Sequence, residues 1–378
     1  MAVDDRHGGF VSNIDHSNQI DHEAPKGSVL NSRILWAFSA GYHFTGEDKY
    51  LQTADRAFDY FSRHFIDPLC GGVYWTVDAQ GAPLDTRKQI YALAFAVYGM
   101  SEYFLASGRE EARQSAIAIY NSIVQHSYDE RHGGYAEALT RDWGQAADLR
   151  LSPKDANEKK SMNTHLHLLE SFANLLKIWD DAALRKRVIE LLDIFTKHII
   201  NSQSHHLVLF FDELWNPRSA LISYGHDIEA SWLLLEAAAK TGDQSLLPVI
   251  KQISLQLATA STTGLDHDGG LWYEYETAND HLVKEKHSWP QAEAMVGFLN
   301  AWQLTGNRQF LDHSLRSWQF IKEHVRDDRL GEWYWGVHAD YSPMIEKEKA
   351  GLWKCPYHNT RACIEVMQRI ANILNNKT

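Results

Sequence analysis

A Gly-Gly or equivalent turn followed by aromatic and acidic residues returns roughly every 60 residues, and this period constrains the fold more than any other feature of the chain. It reads as His7-Gly8-Gly9-Phe10, Gly71-Gly72-Val73-Tyr74-Trp75, His132-Gly133-Gly134-Tyr135 with Glu137, Asp212-Glu213-Leu214-Trp215, Asp268-Gly269-Gly270-Leu271-Trp272-Tyr273-Glu274 and Gly331-Glu332-Trp333-Tyr334-Trp335. Two amphipathic helical stretches lie between successive phrases. A turn followed by two helices cannot bury both helices alone, whereas a closed ring of such units does. The expected fold is all-α, a single domain over residues 1–378, with short hairpins at one end of the ring.

The helices are expected at about Val29–Phe44 and Asp48–Phe65, Arg87–Leu105 and Glu110–His126, Lys160–Trp179 and Ala183–Ile199, His226–Lys240 and Gln244–Ala258, Pro290–Leu304 and Arg308–His324, and Asn359–Asn375. Gly46, Gly108, Gly242 and Gly306 follow the first helix of their units, where a left-handed C-cap is wanted. Six first helices face only five second helices, so the first outer helix of the ring is expected to be absent.

A formal charge of −12 without any basic run argues against a nucleic-acid partner. No basic-then-apolar leader follows Met1, and no segment reads as a membrane span. Cys70, Cys355 and Cys363 have no metal-ligand spacing and cannot all pair, which favours a reducing compartment; the expectation is a cytoplasmic protein, monomer or weak homodimer. Thirteen tryptophans and sixteen tyrosines suit carbohydrate stacking, although most aromatics in such a fold fill the space between helices.

Chemistry-bearing residues follow the same period. Near the starts of successive first helices stand Arg33, Gln89 with Tyr91, Asn163 with His167, His226 with Glu229, Trp289 with Glu293, and His358 with Arg361. Equivalent places in a ring converge, so these are expected to line one end of one polar cavity. Asn163 and His167, four apart, share a helix face with Glu170, while His165 points elsewhere. The His-X-His spacing diverges on a helix, so no metal site is expected there. Glu229, one turn beyond His226, is placed to fix its imidazole, and Gly225 to let backbone and ligand approach. Pro356 stiffens the approach to the last helix and sets His358 near its start, where the helix dipole disfavours protonation. Trp353 is a candidate stacking platform. Two histidines from different units suit removal of a proton from one face of a carbon and its return on the other, at the carbon next to the aldehyde of an opened sugar.

The phrases Ser32-Arg33-Ile34-Leu35-Trp36, Met162-Asn163-Thr164-His165-Leu166-His167, Gly225-His226-Asp227-Ile228-Glu229-Ala230-Ser231-Trp232, Trp289-Pro290-Gln291-Ala292-Glu293 and Trp353-Lys354-Cys355-Pro356-Tyr357-His358-Asn359 resemble the N-acylglucosamine 2-epimerase superfamily, most closely its cellobiose 2-epimerase branch. The resemblance implies an (α/α)6 barrel and a cofactor-free, metal-free epimerase that interconverts glucose and mannose at the reducing end of β-1,4-linked disaccharides. It implies catalytic roles for His226, His358 and His167, with His226 and His358 as the acid/base pair and His358 helping to open the ring. Arg33, Asn163, Glu229, Trp232, Trp289, Glu293 and Trp353 become the substrate-binding set. Two departures stand out: Ser288 occupies a place where many relatives carry a second tryptophan, and the leading helix of the relatives is missing. The alternatives are a mannose isomerase or N-acetylglucosamine epimerase on the same barrel, a glycoside hydrolase using two carboxylates, and a sugar-binding protein without catalysis.

Overall fold

The four expected C-cap glycines all take left-handed backbone, with φ of 72° at Gly46, 70° at Gly108, 75° at Gly242 and 69° at Gly306. The computed structural model describes residues 2–375 and contains eleven α-helices among them. These are α1 (Ser28–Thr45), α2 (Asp48–His64), α3 (Ile90–Ser107), α4 (Glu110–Ser127), α5 (Met162–Leu175), α6 (Ala182–Ile194), α7 (Tyr224–Thr241), α8 (Leu247–Ser261), α9 (Ser288–Thr305), α10 (Arg308–Phe320) and α11 (Tyr357–Asn375). A π-helical turn extends α6 through Ile199 and another extends α10 through Val325.

The odd-numbered helices pack in succession, α1 on α3, α3 on α5, α5 on α7, α7 on α9 and α9 on α11, and α11 closes on α1. The even-numbered helices lie outside, each against the inner helix before it. Composition follows position. Helix α3 is buried continuously from Ile90 to Tyr103, whereas α2 buries only Ala54, Ala57, Phe58, Tyr60 and Phe61 along one stripe. Contrary to the sequence expectation, one helix, α3, is long and apolar enough to span a membrane; it is an inner helix of the ring, 78% buried in protein. Among the described residues no outer helix covers the junction of α11 with α1, and Met367, Ile370 and Leu374 of α11 are exposed at 45%, 46% and 60%.

Each unit closes its turn with one antiparallel bridge: Val3 with Phe10, Ile66 with Val73, Tyr128 with Tyr135, Ile200 with Leu207, Leu265 with Leu271 and Arg326 with Trp333. Five turns are clamped by a buried lysine from just before the next inner helix or, in the last unit, from the loop leading to it. The pairs are Lys26 with Asp4 (2.7 Å), Lys88 with Asp67 (2.9 Å), Lys160 with Asp129 (2.8 Å), Lys286 with Asp266 (2.7 Å) and Lys349 with Asp327 (3.0 Å). In the fourth unit Asn201 and Ile222 stand in these places, so both charges are absent together.

That fourth turn corrects the sequence reading. Its turn is Asn201–His206, where Asn201 accepts from the amides of Gln203 and Ser204 and His205 takes the positive φ (59°) that glycine takes elsewhere. Asp212–Trp215 is instead the tip of the following hairpin, and Trp215 packs back on the preceding unit. A Cβ on Gly134 would lie 2.4 Å from the Trp215 ring, so a glycine is required there. Helices α7, α9 and α11 also begin two residues earlier than expected, which places Trp289 and His358 inside their first turns.

Candidate active site

The sixth residues of five successive inner helices are Arg33, Phe95, His167, Glu229 and Glu293, and the fifth residue of α11 is Arg361. One tier above, nearer the helix starts, stand Tyr91, Asn163, His226, Trp289 and His358. Several bonds of the lower tier join helices that are not neighbours in the ring, Glu170 on α5 to Tyr357 and Arg361 on α11, and Glu229 on α7 to Arg361. They therefore cross the barrel interior. All six inner helices contribute, which explains why the pattern follows the repeat.

Three imidazoles converge here, each held through Nδ1. His167 pairs with Glu170 (3.0 Å), His358 with Glu293 (2.7 Å) and His226 with the Ser223 hydroxyl (2.8 Å). Nε2 of each has no hydrogen-bond partner among the described residues, and so remains for a ligand. The Trp289 ring is close to both His226 (4.7 Å between centroids) and His358 (5.5 Å). Burial pushes both imidazoles down, His226 to about 3 and His358 to about 4. The neighbouring histidines lower His226 further, while Glu293 partly restores His358.

Two guanidiniums are buried in the same space with opposite surroundings. Arg361 bonds Glu170, Glu229 (2.5 Å) and Glu293 (2.7 Å), as well as the Tyr357 hydroxyl (2.5 Å). Burial opposes ionisation of Glu170, but Arg361, His167 and Tyr357 outweigh it and hold the carboxyl at about 2. Burial likewise opposes ionisation of Glu293, and Arg361 and His358 bring it below its ordinary value. Glu229 is raised by burial and by Glu293 beside it. Arg33 donates only to the Trp353 carbonyl (3.2 Å) and the Tyr91 hydroxyl (2.8 Å), with Phe95 and Tyr357 against its face at 4.3 and 5.0 Å. It is 4% exposed and has no carboxylate partner among the described residues. Such a group is placed to receive negative charge that develops on a ligand.

Several expected roles change. Glu229 does not fix His226; it bonds Arg361, because the carboxylate one turn below the imidazole reaches the barrel axis where the guanidinium lies. Trp232 is 1% exposed and donates from Nε1 to Glu293 (3.1 Å), beneath the guanidinium of Arg361, so it supports the cluster instead of presenting a face to a sugar. Gly225 makes room for Trp289, whose ring would lie 2.6 Å from a Cβ at that position. Asn163 keeps a buried Oδ1 with no partner, and Trp353 stands against Trp75 (5.8 Å) and Tyr91 (6.0 Å) at the rim. His165 turns away as expected, accepting from the Tyr135 amide and contacting the Ser161 carbonyl. Glu229, Glu293 and His358 bring ligand atoms within 4.8 Å of one another, but Arg361 already supplies the positive charge to both carboxylates.

Ser223, Glu170 and Tyr357 complete the cluster, and of these only Glu170 was marked by spacing. Tyr357 and Ser223 carry no assigned role in the sequence reading, because neither is among the periodic residues that mark the rest of the site.

The sequence model of N-acylglucosamine 2-epimerase (GlcNAc 2-epimerase) matches residues 8–362. The cellobiose 2-epimerase of Bacteroides fragilis is 47% identical over 365 residues, covering 97% of this chain and 93% of that protein. The solved cellobiose 2-epimerase of Bacillus thermoamylovorans B4167 superposes with a TM-score of 0.93 at 38% identity, covering 97% of this chain and 94% of the other. A D-mannose isomerase structure, 22% identical with a TM-score of 0.84 over 97% and 93% of the two chains, shares the fold.

Proposed function

Because the chain belongs to the N-acylglucosamine 2-epimerase family and is a carbohydrate epimerase, we propose that it interconverts glucose and mannose at C2 of the reducing-end residue of β-1,4-linked disaccharides such as cellobiose, mannobiose and lactose. The relatives named cellobiose 2-epimerase support the substrate class. The observation that carries the mechanism is the pair His226 and His358, both close to the Trp289 ring and each tethered by Nδ1 with Nε2 free.

In this reading His358 enters as the imidazolium: its Nε2–H protonates O5 as the C1–O5 bond breaks, and Nε2 then takes the proton of the anomeric hydroxyl, leaving an open-chain aldehyde and the imidazolium restored. One histidine then removes the C2 proton, and the electron pair moves through C1 to the aldehyde oxygen. Arg33, with His167, stabilises that enediolate oxygen, and the buried Asn163 Oδ1 accepts from a substrate hydroxyl. The other histidine delivers a proton to the opposite face of C2. The pair thus carries one proton in total and exchanges it between rings on each turnover. His358, whose Nδ1 faces the Glu293 carboxylate where His226 faces a neutral hydroxyl, is the member that holds it before the substrate reacts.

A hydrolase needs two available carboxyl groups flanking the scissile bond. Glu170, Glu229 and Glu293 are instead bound to Arg361, which disfavours that alternative. The test is product identity after incubation with cellobiose, lactose and mannobiose. The 2-epimer is expected; a ketose instead moves the assignment to an isomerase, and free glucose to a hydrolase.

A further inference from the structure

Ser161 and Ser223 occupy equivalent places, each the last residue before an inner helix, yet they act differently. Ser161 caps α5 in the ordinary way, its hydroxyl accepting from the Thr164 amide at 3.1 Å. Ser223 makes no side-chain bond to the start of α7. Its hydroxyl lies 2.8 Å from Nδ1 of His226, which is the third residue of α7 as Thr164 is of α5. Ser223 is 1% exposed, so the hydroxyl has no exchange with bulk water to compete for it.

The partner is also chemically distinct. His167 and His358 each face a carboxylate, which accepts only and so fixes the proton on Nδ1. A hydroxyl donates or accepts. It bonds Nδ1 when that nitrogen bears the proton and equally when it does not.

We propose that Ser223 is the positioning residue of His226, holding the ring through Nδ1 while leaving Nε2 free to present a lone pair or an N–H to the sugar. The inference rests on the reading of His226 as an acid/base group. When Nδ1 is protonated, Ser223 accepts and Nε2 takes a proton from carbon; the resulting imidazolium keeps its bond to Ser223. In the other tautomer Ser223 donates to Nδ1, and Nε2–H points at the substrate. The charged and titratable groups that face His226 from the packed elements are His167 on α5, Glu293 on α9 and His358 on α11. None of these bonds its Nδ1.

Ser223→Ala, Ser223→Thr and Ser223→Asp test the assignment. Because no helix amide loses a cap, Ser223→Ala is expected to melt near the wild type while kcat falls about ten- to a hundredfold at similar KM. Ser223→Thr restores most of the rate. Ser223→Asp places a carboxylate on Nδ1, favours the imidazolium, and moves the acid limb of kcat/KM upward by about one pH unit. Unchanged kcat and pH profile in Ser223→Ala overturn the proposal, as does a loss of rate matched by a loss of melting temperature that threonine does not rescue. The nitrogen chemical shifts of His226 judge it without turnover: a changed Nδ1/Nε2 proton distribution in Ser223→Ala supports it and an unchanged one overturns it, even if the wild type proves inactive on disaccharides.

Discussion

Arg33 and Arg361 are buried among the same helix ends, yet only Arg361 has carboxylate partners. Their roles are therefore separable by measurement. Arg361→Met leaves Glu170, Glu229 and Glu293 without a counter-charge and is expected to destabilise the fold by about 3–5 kcal/mol. Arg33→Met removes no ion pair, and should melt near the wild type while kcat falls ~10²–10³-fold through loss of oxyanion stabilisation. Thermal unfolding and steady-state rates of the two variants check this; equal destabilisation in both contradicts it.

His226→Ala and His358→Ala are each expected to lower turnover by about 10²–10⁴-fold with the helical signal unchanged. Retained activity in either variant removes that residue from the acid/base pair.

The pH dependence follows from burial. An exposed imidazole pair puts the acid limb near 6.5. Burial holds His226 and His358 down, at about 3 and about 4, so uptake of the second proton, which removes the base of the pair, is pushed further into acid. The acid limb of kcat/KM should therefore lie well below 6.5, near pH 4. Half-loss near the ordinary histidine value contradicts the buried geometry.

Glu137 gives a stability test away from the histidines. It is buried, accepts from the Thr164 hydroxyl through Oε1, leaves Oε2 without a partner, and is raised from 4.5 to about 7, chiefly by burial. The native state thus keeps a proton that the unfolded chain releases. The stability this represents is present below pH 4.5 and lost as pH rises through about 7. Glu137→Gln keeps the acceptor without the titration, and should gain up to ~3 kcal/mol relative to the wild type at pH 8 compared with pH 4. Parallel stability curves for the two proteins across that range contradict it.

The architecture was legible because two signals agreed, the spacing of the turns and the glycines that end α1, α3, α7 and α9. The fourth turn was misread because Asn201 and His205 replace the residues that mark the others, and its identity comes from the Ile200–Leu207 bridge. Convergence of Arg33, His167, His226, Glu293 and His358 followed from their period. Partner choice did not. Spacing within α7 offered Glu229 to His226, but which atoms meet depends on distances across the barrel, and there Arg361 takes Glu229 while Ser223 takes the imidazole. Trp232 was misjudged for the same reason, since sequence gives its helix face but not the depth at which Glu293 meets it.

Proton transfer at C2 is read out by incubating the protein with cellobiose in D2O and following the reducing-end sugar by NMR. Glucosylmannose carrying deuterium at C2 is the expected product. Glucosylmannose that retains its original C2 hydrogen, or cellobiose left unchanged with no exchange at C2, contradicts it.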